Sequence, residues 1–283
     1  MPSGSNRPAI TLIIAGFDPS GGAGIIADIR TIVAFGCTPV AAVTSLTMQN
    51  SEGVFGAIHQ TAVSLRAQIL PVVKESCIAA VKIGMLPTRE SVMEVVRLKQ
   101  ETDMPAPVVD PVLRSTSGYE LMEPEAREVW LGELMPIARL ITPNIPEAET
   151  LAGMRITNEQ DIRKAAHKLR EMGARAVLIK GGHLNQRSEV RGQRSEKAGS
   201  DRQAIDVLDD QGDVTLFPGE WIDAPPVRGT GCMLSSAIAA CLGLGMNLQD
   251  SVGAAKRFVA DAIRYAPKLG PDPVTLELTE NEK

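Results

Sequence analysis

Several features are missing from this 283-residue sequence, and each absence removes a class of function. There is no basic excess: 29 Lys and Arg stand against 34 Asp and Glu, a formal net charge of -5. Nucleic-acid binders usually carry a positive balance, so no nucleic-acid partner is expected. No apolar run reaches the roughly 18 residues that a membrane span needs, so no membrane partner is expected either. The opening residues Met1 to Asn6 are polar, and the apolar segment Ile10 to Ala15 is too short for a signal-peptide core. The four cysteines (Cys37, Cys77, Cys232 and Cys241) include no close pair. That spacing suggests neither a zinc site nor a disulfide framework. No internal repeat is visible. The expectation is a reduced, cytoplasmic enzyme.

What is present is an alternation of short apolar runs and helical patterns. Strands are expected at Ile10 to Ala15, Val40 to Leu46, Ile78 to Ile83, Val108-Val109, Leu140-Ile141 and Ala176 to Ile179. Ile25, Ile29, Ile32 and Val33 recur at helical spacing, and further helices are expected near 61–74, 89–101, 124–135 and 158–172. This order implies βαβ units and a mainly parallel central sheet flanked by helices on both faces. One domain is expected over residues 10–270, with a flexible start at 1–9 and a loosely held tail at 271–283. Asn185 to Gln203 is basic and almost without apolar residues, and reads as a mobile surface insertion; a basic lid over nucleotide phosphates is the alternative.

Ligands of such sheets sit at the carboxyl ends of the strands. Polar residues and glycines gather there: Gly16-Phe17-Asp18, Gly84-Met85, Asp110-Pro111-Val112, Thr142-Pro143-Asn144 and Lys180-Gly181-Gly182-His183. The loop Asp18 to Gly24 is rich in glycine but is neither a Rossmann nor a Walker fingerprint, and alone reads equally as a tight turn. Asp28 alone reads as a solvated helix residue, and Gln49-Asn50 as a turn. Gly229-Thr230-Gly231-Cys232 precedes a small-residue helical run. It therefore offers unpaired N–H groups and the positive end of a helix dipole, suited to a phosphate. Asn144 and Glu147 also read as a cap for a helix starting near Pro146.

Seven pieces in order carry a resemblance. They are Ala15 to Gly24 with Ala27-Asp28, Thr47 to Asn50, Lys82 to Leu86, Asp110 to Val112, Thr142 to Glu149, Lys180 to Leu184, and Gly229 to Cys232. The sequence resembles the hydroxymethylpyrimidine/phosphomethylpyrimidine kinases of thiamin biosynthesis, within the ribokinase-like superfamily. The resemblance implies a ribokinase-like α/β fold, ATP as phosphoryl donor, Mg²⁺ as cofactor, a small pyrimidine as substrate, and a homodimer. It makes Gln49 the pyrimidine reader, with Gly16, Asp28, Thr47, Met85 and Val112 as the rest of the substrate pocket. Asp110, Asn144 and Glu147 would form the magnesium-associated set. Lys180 and Lys256 would serve the nucleotide, and Gly229, Thr230, Gly231 and Cys232 the phosphoryl-transfer centre.

The resemblance also exposes departures. Most ribokinase-like enzymes have an aspartate base where this chain has Cys232. A thiol whose pKa is lowered by the helix start is expected to serve as a weak base toward an alcohol without repelling a phosphorylated acceptor. Arg228 stands where a histidine is usual, and Arg114 to Gly118 lacks the customary lysine. Pyridoxal kinase and a non-catalytic pyrimidine-binding sensor are the alternative functions.

Overall fold

The apolar runs expected as strands do form the centre of the molecule. The computed structural model describes residues 8–181, 204–222, 224 and 227–265. Expectations for residues 1–7, His183, the 185–203 insertion and the 271–283 tail lie outside the described residues. The strands are β1 (Ile10–Phe17), β2 (Thr38–Gln49), β3 (Val54–His59), β4 (Ile78–Ile83), β5 (Val108–Val109), β6 (Leu140–Ile141), β7 (Ala176–Ile179), β8 (Asp206–Asp210) and β9 (Asp213–Phe217). They form one sheet in the order β3-β2-β1-β4-β5-β6-β7-β8-β9. Pairings from β2 through β1 and β4 to β7 are parallel, whereas β3, β8 and β9 join antiparallel.

The helices are α1 (Gly24–Ala34), α2 (Ala62–Glu75), α3 (Arg89–Glu101), α4 (Pro124–Val129), α5 (Ile145–Ala152), α6 (Glu159–Glu171), α7 (Thr230–Gly243) and α8 (Leu248–Arg264). The two-residue period of the strands divides the core. Leu12, Ile14, Val81 and Ile83 face α3, α4 and α6 through Val92, Val95, Ala126 and Ile162. On the other face Val108, Leu140 and Leu178 meet Leu234, Ile238 and Val252 of α7 and α8. Ile13 and Ala15 meet Ile25 and Ile32 of α1 there as well. Fully burying one such aliphatic side chain contributes about 1.5–3 kcal/mol.

Three departures from expectation have physical causes. The helix expected over 124–135 leaves α-geometry at Trp130, widens to a π-turn, and tightens to a 3₁₀ turn at Met135–Ile137. Pro136 has no N–H for an α-helical bond there. Strand β3 escapes recognition because Gly56 and Ala57 interrupt its β-branched pattern. Strand β8 reads as a polar stretch because it carries Asp206, Asp209 and Asp210. Each of these carboxylates has a cation from elsewhere: Lys256 Nζ at 2.8 Å, Arg170 Nη1 at 2.9 Å and Arg139 Nη2 at 2.9 Å.

Lys256, expected to serve the nucleotide, is held within the protein. Its Nζ donates to Asp206 Oδ2 (2.8 Å), the Ala204 carbonyl (2.8 Å) and the Phe217 carbonyl (2.6 Å). An ammonium has three hydrogens, and all are spent tying α8 to β8 and β9. Lys256→Met should lower stability by about 1–3 kcal/mol by orphaning these acceptors. Urea unfolding checks this, and the KM for ATP should change little in the same variant.

Candidate active site

The parallel order reverses at β1, which sends its chain to β2 on one side and has β4 on the other. A crevice opens beyond strand ends at such a switch point. The loop leaving β1 folds around the buried Asp18 carboxylate. Its Oδ1 accepts from Ser20 N (2.8 Å) and Ser20 Oγ (2.6 Å), and its Oδ2 from Ala23 N (2.9 Å). Helix α7 begins against this loop. Gly229 is its N-cap at φ 76°, and a side chain there would run into the Gly22 carbonyl. No side chain caps α7. The first intrahelical bond runs from Met233 N to Gly229 O (2.8 Å), so the N–H groups of Thr230, Gly231 and Cys232 remain for a ligand. The expected anion site is thus a feature of the backbone.

Opposite lies a charged pair from the ends of β5 and β7. Lys180 Nζ donates to Asp110 Oδ1 at 2.9 Å, and Thr142 Oγ1 donates to the same oxygen at 3.1 Å. A Cβ at Gly231 would lie 3.1 Å from Lys180 Nζ and 3.4 Å from Asp110 Oδ2, so the helix start is packed closely against the pair and a side chain there would press on the Lys180 ammonium. Burial works against the Lys180 ammonium, but Asp110 and Glu147 outweigh it and its pKa moves up. Lys180 stays charged at neutral pH.

Asn144 and Glu147 form a reciprocal capping box at the start of α5: Glu147 N donates to Asn144 Oδ1 (2.9 Å), and Asn144 N donates to Glu147 Oε2 (2.8 Å). The cap read from the sequence is therefore real. Burial pushes the Glu147 carboxyl up, and Lys180 pulls it back. Among the described residues no cluster of three His, Cys, Asp or Glu side chains could by itself hold a metal ion. Asp110, Asn144 and Glu147 are near one another but do not form a closed cation cage.

Beneath α7 is a second buried pair. Asp28 on α1 and Lys82 on β4 are fully buried, with Lys82 Nζ 2.7 Å from Asp28 Oδ2 and Ser236 Oγ of α7 donating to Asp28 Oδ1 at 2.8 Å. The solvated reading of Asp28 is overturned, and both of its oxygens are engaged within the protein rather than turned to a substrate. Lys82 is the site residue to which the sequence reading assigned no role. Its signal was a lysine inside the otherwise apolar strand Ile78–Ile83, which demands a buried partner. Burial pushes Asp28 up while Lys82 pulls it down; burial likewise opposes the Lys82 charge, but Asp28, Cys232 and Asp110 carry its pKa up.

Cys232 requires the other correction. Burial pushes its thiol up to about 11, and the charges of Asp28 and Asp110 add to that. Lys82 and the Gly24 N–H act in the opposite direction without overcoming burial. The thiol is protonated at neutral pH, and the helix start alone does not make it a thiolate.

The expected substrate residues divide. Gly16, Thr47 and Met85 converge at the ends of β1, β2 and β4. A Cβ on Gly16 would sit 3.0 Å from the Met85 sulfur, and Thr47 Oγ1 donates to the Phe17 carbonyl at 2.9 Å. Gln49 ends β2 half-buried, with no described partner for its amide. Val112 follows Asp110 beyond β5, its N–H donating to the Asp110 carbonyl at 2.9 Å.

Two measurements probe this floor. Lys82→Met should cost about 3–5 kcal/mol by leaving Asp28 buried and unpaired. In urea titrations the Lys82→Met/Asp28→Asn double variant should lose much less than the sum of the singles. Alkylation of Cys232 by iodoacetamide should accelerate about tenfold per pH unit from pH 8 to pH 10. In Lys82→Met it should be slower at each pH, because the cation that favours the thiolate is gone.

Comparison with known proteins agrees with this geometry. The model of the phosphomethylpyrimidine kinase family matches residues 18–276. A hydroxymethylpyrimidine/phosphomethylpyrimidine kinase from Aquifex aeolicus is 38% identical over 261 residues, covering 92% of this chain and 96% of that protein. The crystal structure of phosphomethylpyrimidine kinase from Clostridium difficile superposes with a TM-score of 0.75 at 36% identity, covering 90% and 99% of the two chains. The ADP complex of Bacillus subtilis pyridoxal kinase gives 0.80 at 30% identity, covering 95% and 98%.

Proposed function

Because the chain belongs to the phosphomethylpyrimidine kinase family, we propose that it phosphorylates 4-amino-5-hydroxymethyl-2-methylpyrimidine with ATP, then phosphorylates the resulting monophosphate to the pyrophosphate. The observation that carries this reading is the uncapped start of α7 abutting the Lys180–Asp110 pair across Gly231. Such a junction suits a transferring phosphoryl group: backbone N–H groups meet its oxygens, and an ammonium offsets charge developing toward the leaving oxygen. Phosphoryl transfer passes through a loose transition state, so positioning and charge stabilisation supply most of the catalysis.

The acceptor ring would lie between the ends of β1, β2 and β4, against Met85 and Gly16, with the Gln49 amide donating and accepting at an aminopyrimidine edge. Val112 would close the ring pocket beside Asp110. Asp28 would act from below, by holding Lys82 and Ser236 in place under the helix start. The neutral Cys232 thiol suits both steps. In the first, the alcohol oxygen bonds to the γ-phosphorus as the bond to the β–γ bridging oxygen breaks, ADP departs with the electron pair, and the alcohol proton passes to a transferred phosphoryl oxygen, so alignment counts for more than a strong base. In the second, the nucleophile is a phosphate oxygen whose second pKa of about 6 leaves it ionised at neutral pH. A carboxylate at position 232 would repel that acceptor, whereas a protonated thiol does not.

The residues present fit Mg²⁺ bound mainly through nucleotide phosphates and water. Asp110 Oδ2 has no described donor, while Oδ1 is held by Lys180 and Thr142. Asp110 would supply a direct oxygen ligand, and Glu147 and Asn144, whose oxygens serve the α5 cap, would act through water. When bound, the ion would offset phosphate charge.

A homodimer is part of this reading. The edge hairpin β2–β3 exposes Leu46 (43%), Met48 (48%), Phe55 (65%) and Ile58 (54%), with Leu46 and Ile58 opposite one another in register. An open edge strand with an apolar surface suits a second copy. Ile58→Glu should shift the elution mass toward that of a single chain.

ADP release with Mg-ATP and, in turn, the hydroxymethylpyrimidine, its monophosphate and pyridoxal tests the assignment. Turnover of both pyrimidines is expected. Turnover of pyridoxal alone would transfer the reading to the chemistry named for the Bacillus subtilis neighbour, and tight pyrimidine binding without turnover would favour a sensor. Cys232→Asp should depress monophosphate turnover about tenfold or more relative to alcohol turnover, since like charges a few ångströms apart repel by several kcal/mol in a partly buried site.

A further inference from the structure

Arg228 is the residue that the family resemblance leaves without a role. Its guanidinium joins three segments around the crevice. Nη1 donates to the Asn50 carbonyl at 2.6 Å and to Ser20 Oγ at 3.2 Å, and Nη2 donates to Asp18 Oδ2 at 3.3 Å. Asn50 directly follows Gln49, and Arg228 directly precedes the Gly229 cap of α7. The guanidinium therefore lies between the residue proposed to read the ring and the backbone proposed to hold the transferring phosphoryl group. Its Nε–H and the second hydrogen on Nη2 have no described acceptor, so it can take an anion without first surrendering its three bonds.

The other described cations near the crevice are placed differently, and Arg30 of α1 reaches the Asp18 loop from the helix side, its Nη1 donating to the Gly21 carbonyl at 3.3 Å. Lys82 is closed off by Asp28, Lys180 is held by Asp110, and Arg114, from the loop that lacks the usual lysine, pairs with Glu120 on the surface. That loop still reaches the crevice rim, where Val54 N donates to Ser117 Oγ at 3.3 Å, but it brings hydroxyls and no charge. Among the described residues Arg228 is thus a guanidinium with donors to spare that also bonds Asn50, next to the proposed ring reader.

We infer that Arg228 is the specificity-determining residue for the second phosphorylation, holding the phosphate of the monophosphate acceptor through its spare N–H groups. The inference rests on the pyrimidine-kinase reading above. An acceptor phosphate oxygen forms a bond to the γ-phosphorus of ATP, the bond from that phosphorus to the β–γ bridging oxygen breaks, and ADP departs with the electron pair. The ionised acceptor has no proton to lose. Arg228 orients the acceptor phosphate by a planar, fork-shaped set of donors, which a lysine reproduces in charge but not in shape. The alcohol acceptor has no phosphate for it to grip.

Steady-state ADP release by the full chain, measured separately with hydroxymethylpyrimidine and with its monophosphate, tests this in the wild type, Arg228→Gln and Arg228→Lys. Arg228→Gln should lower the ratio of kcat/KM for the monophosphate to that for the alcohol about ten- to hundredfold. The loss should fall mainly on the monophosphate KM, and Arg228→Lys should recover part of it. Equal loss with both acceptors in both variants would make Arg228 a strap between loops and overturn the inference. If Arg228→Gln does not fold, Arg228→Lys and calorimetric binding of the monophosphate to the wild type across ionic strengths decide instead. Binding insensitive to salt would overturn the inference. If the wild type uses neither pyrimidine, the functional reading itself fails. Turnover of both with an unchanged ratio in the variants removes only the role of Arg228.

Discussion

The buried ion pair between Lys82 and Asp28, completed by Ser236, is the constraint on which the site depends. It joins β4, α1 and α7 at one point inside the protein, where each charge is tolerable only in the presence of the other. Helix α7 cannot slide along the sheet without separating Ser236 from Asp28. Its open N-terminus is thereby held at one height relative to the ends of β1 and β4. The Lys180–Asp110 pair then meets that N-terminus through the gap left by Gly231. Two neutralised pairs lie under a backbone anion site, so the floor carries strong local fields without a large net charge.

This arrangement changes the meaning of Cys232. At a bare helix start a thiol would ionise more readily. Here burial and the neighbouring Asp28 and Asp110 carboxylates hold the proton on sulfur, despite Lys82 and the Gly24 N–H. On the proposed reading, a neutral group at the transfer point would not repel a charged phosphate acceptor, nor would it need an uncharged alcohol to be treated differently. Discrimination between those acceptors would then pass to the rim, where Arg228 reaches Asp18, Ser20 and Asn50.

Much of the fold was legible because burial leaves a periodic trace. Strands β4, β5, β6 and β7 coincide with their apolar runs, and α3 with its expected span. The antiparallel additions were hidden where that trace fails: β8 carries three aspartates that look solvated until Lys256, Arg170 and Arg139 are brought to them. The same reason explains the lysines. Lys180 stands at a strand end, where a lysine suits a phosphate, and it lies beside the anion site. Lys256 has no such local signal and reads alone as a helix-surface lysine; its partners come from segments 39 to 52 residues away in the chain.

Local chemistry along the chain sets the βαβ order, a glycine-bearing helix start suited to an anion, and the gathering of polar residues at one edge of the sheet. These depend on local backbone chemistry and on two- and 3.6-residue periods, which are written in adjacent residues. Which charges pair is settled by the folding of distant segments onto one another: Asp28 with Lys82, Asp110 with Lys180, Asp206 with Lys256 and Asp18 with Arg228. That folding also decides that Cys232 keeps its proton. Such outcomes depend on distances of a few ångströms between residues far apart in the chain and on their removal from water, and neither quantity has a local signature.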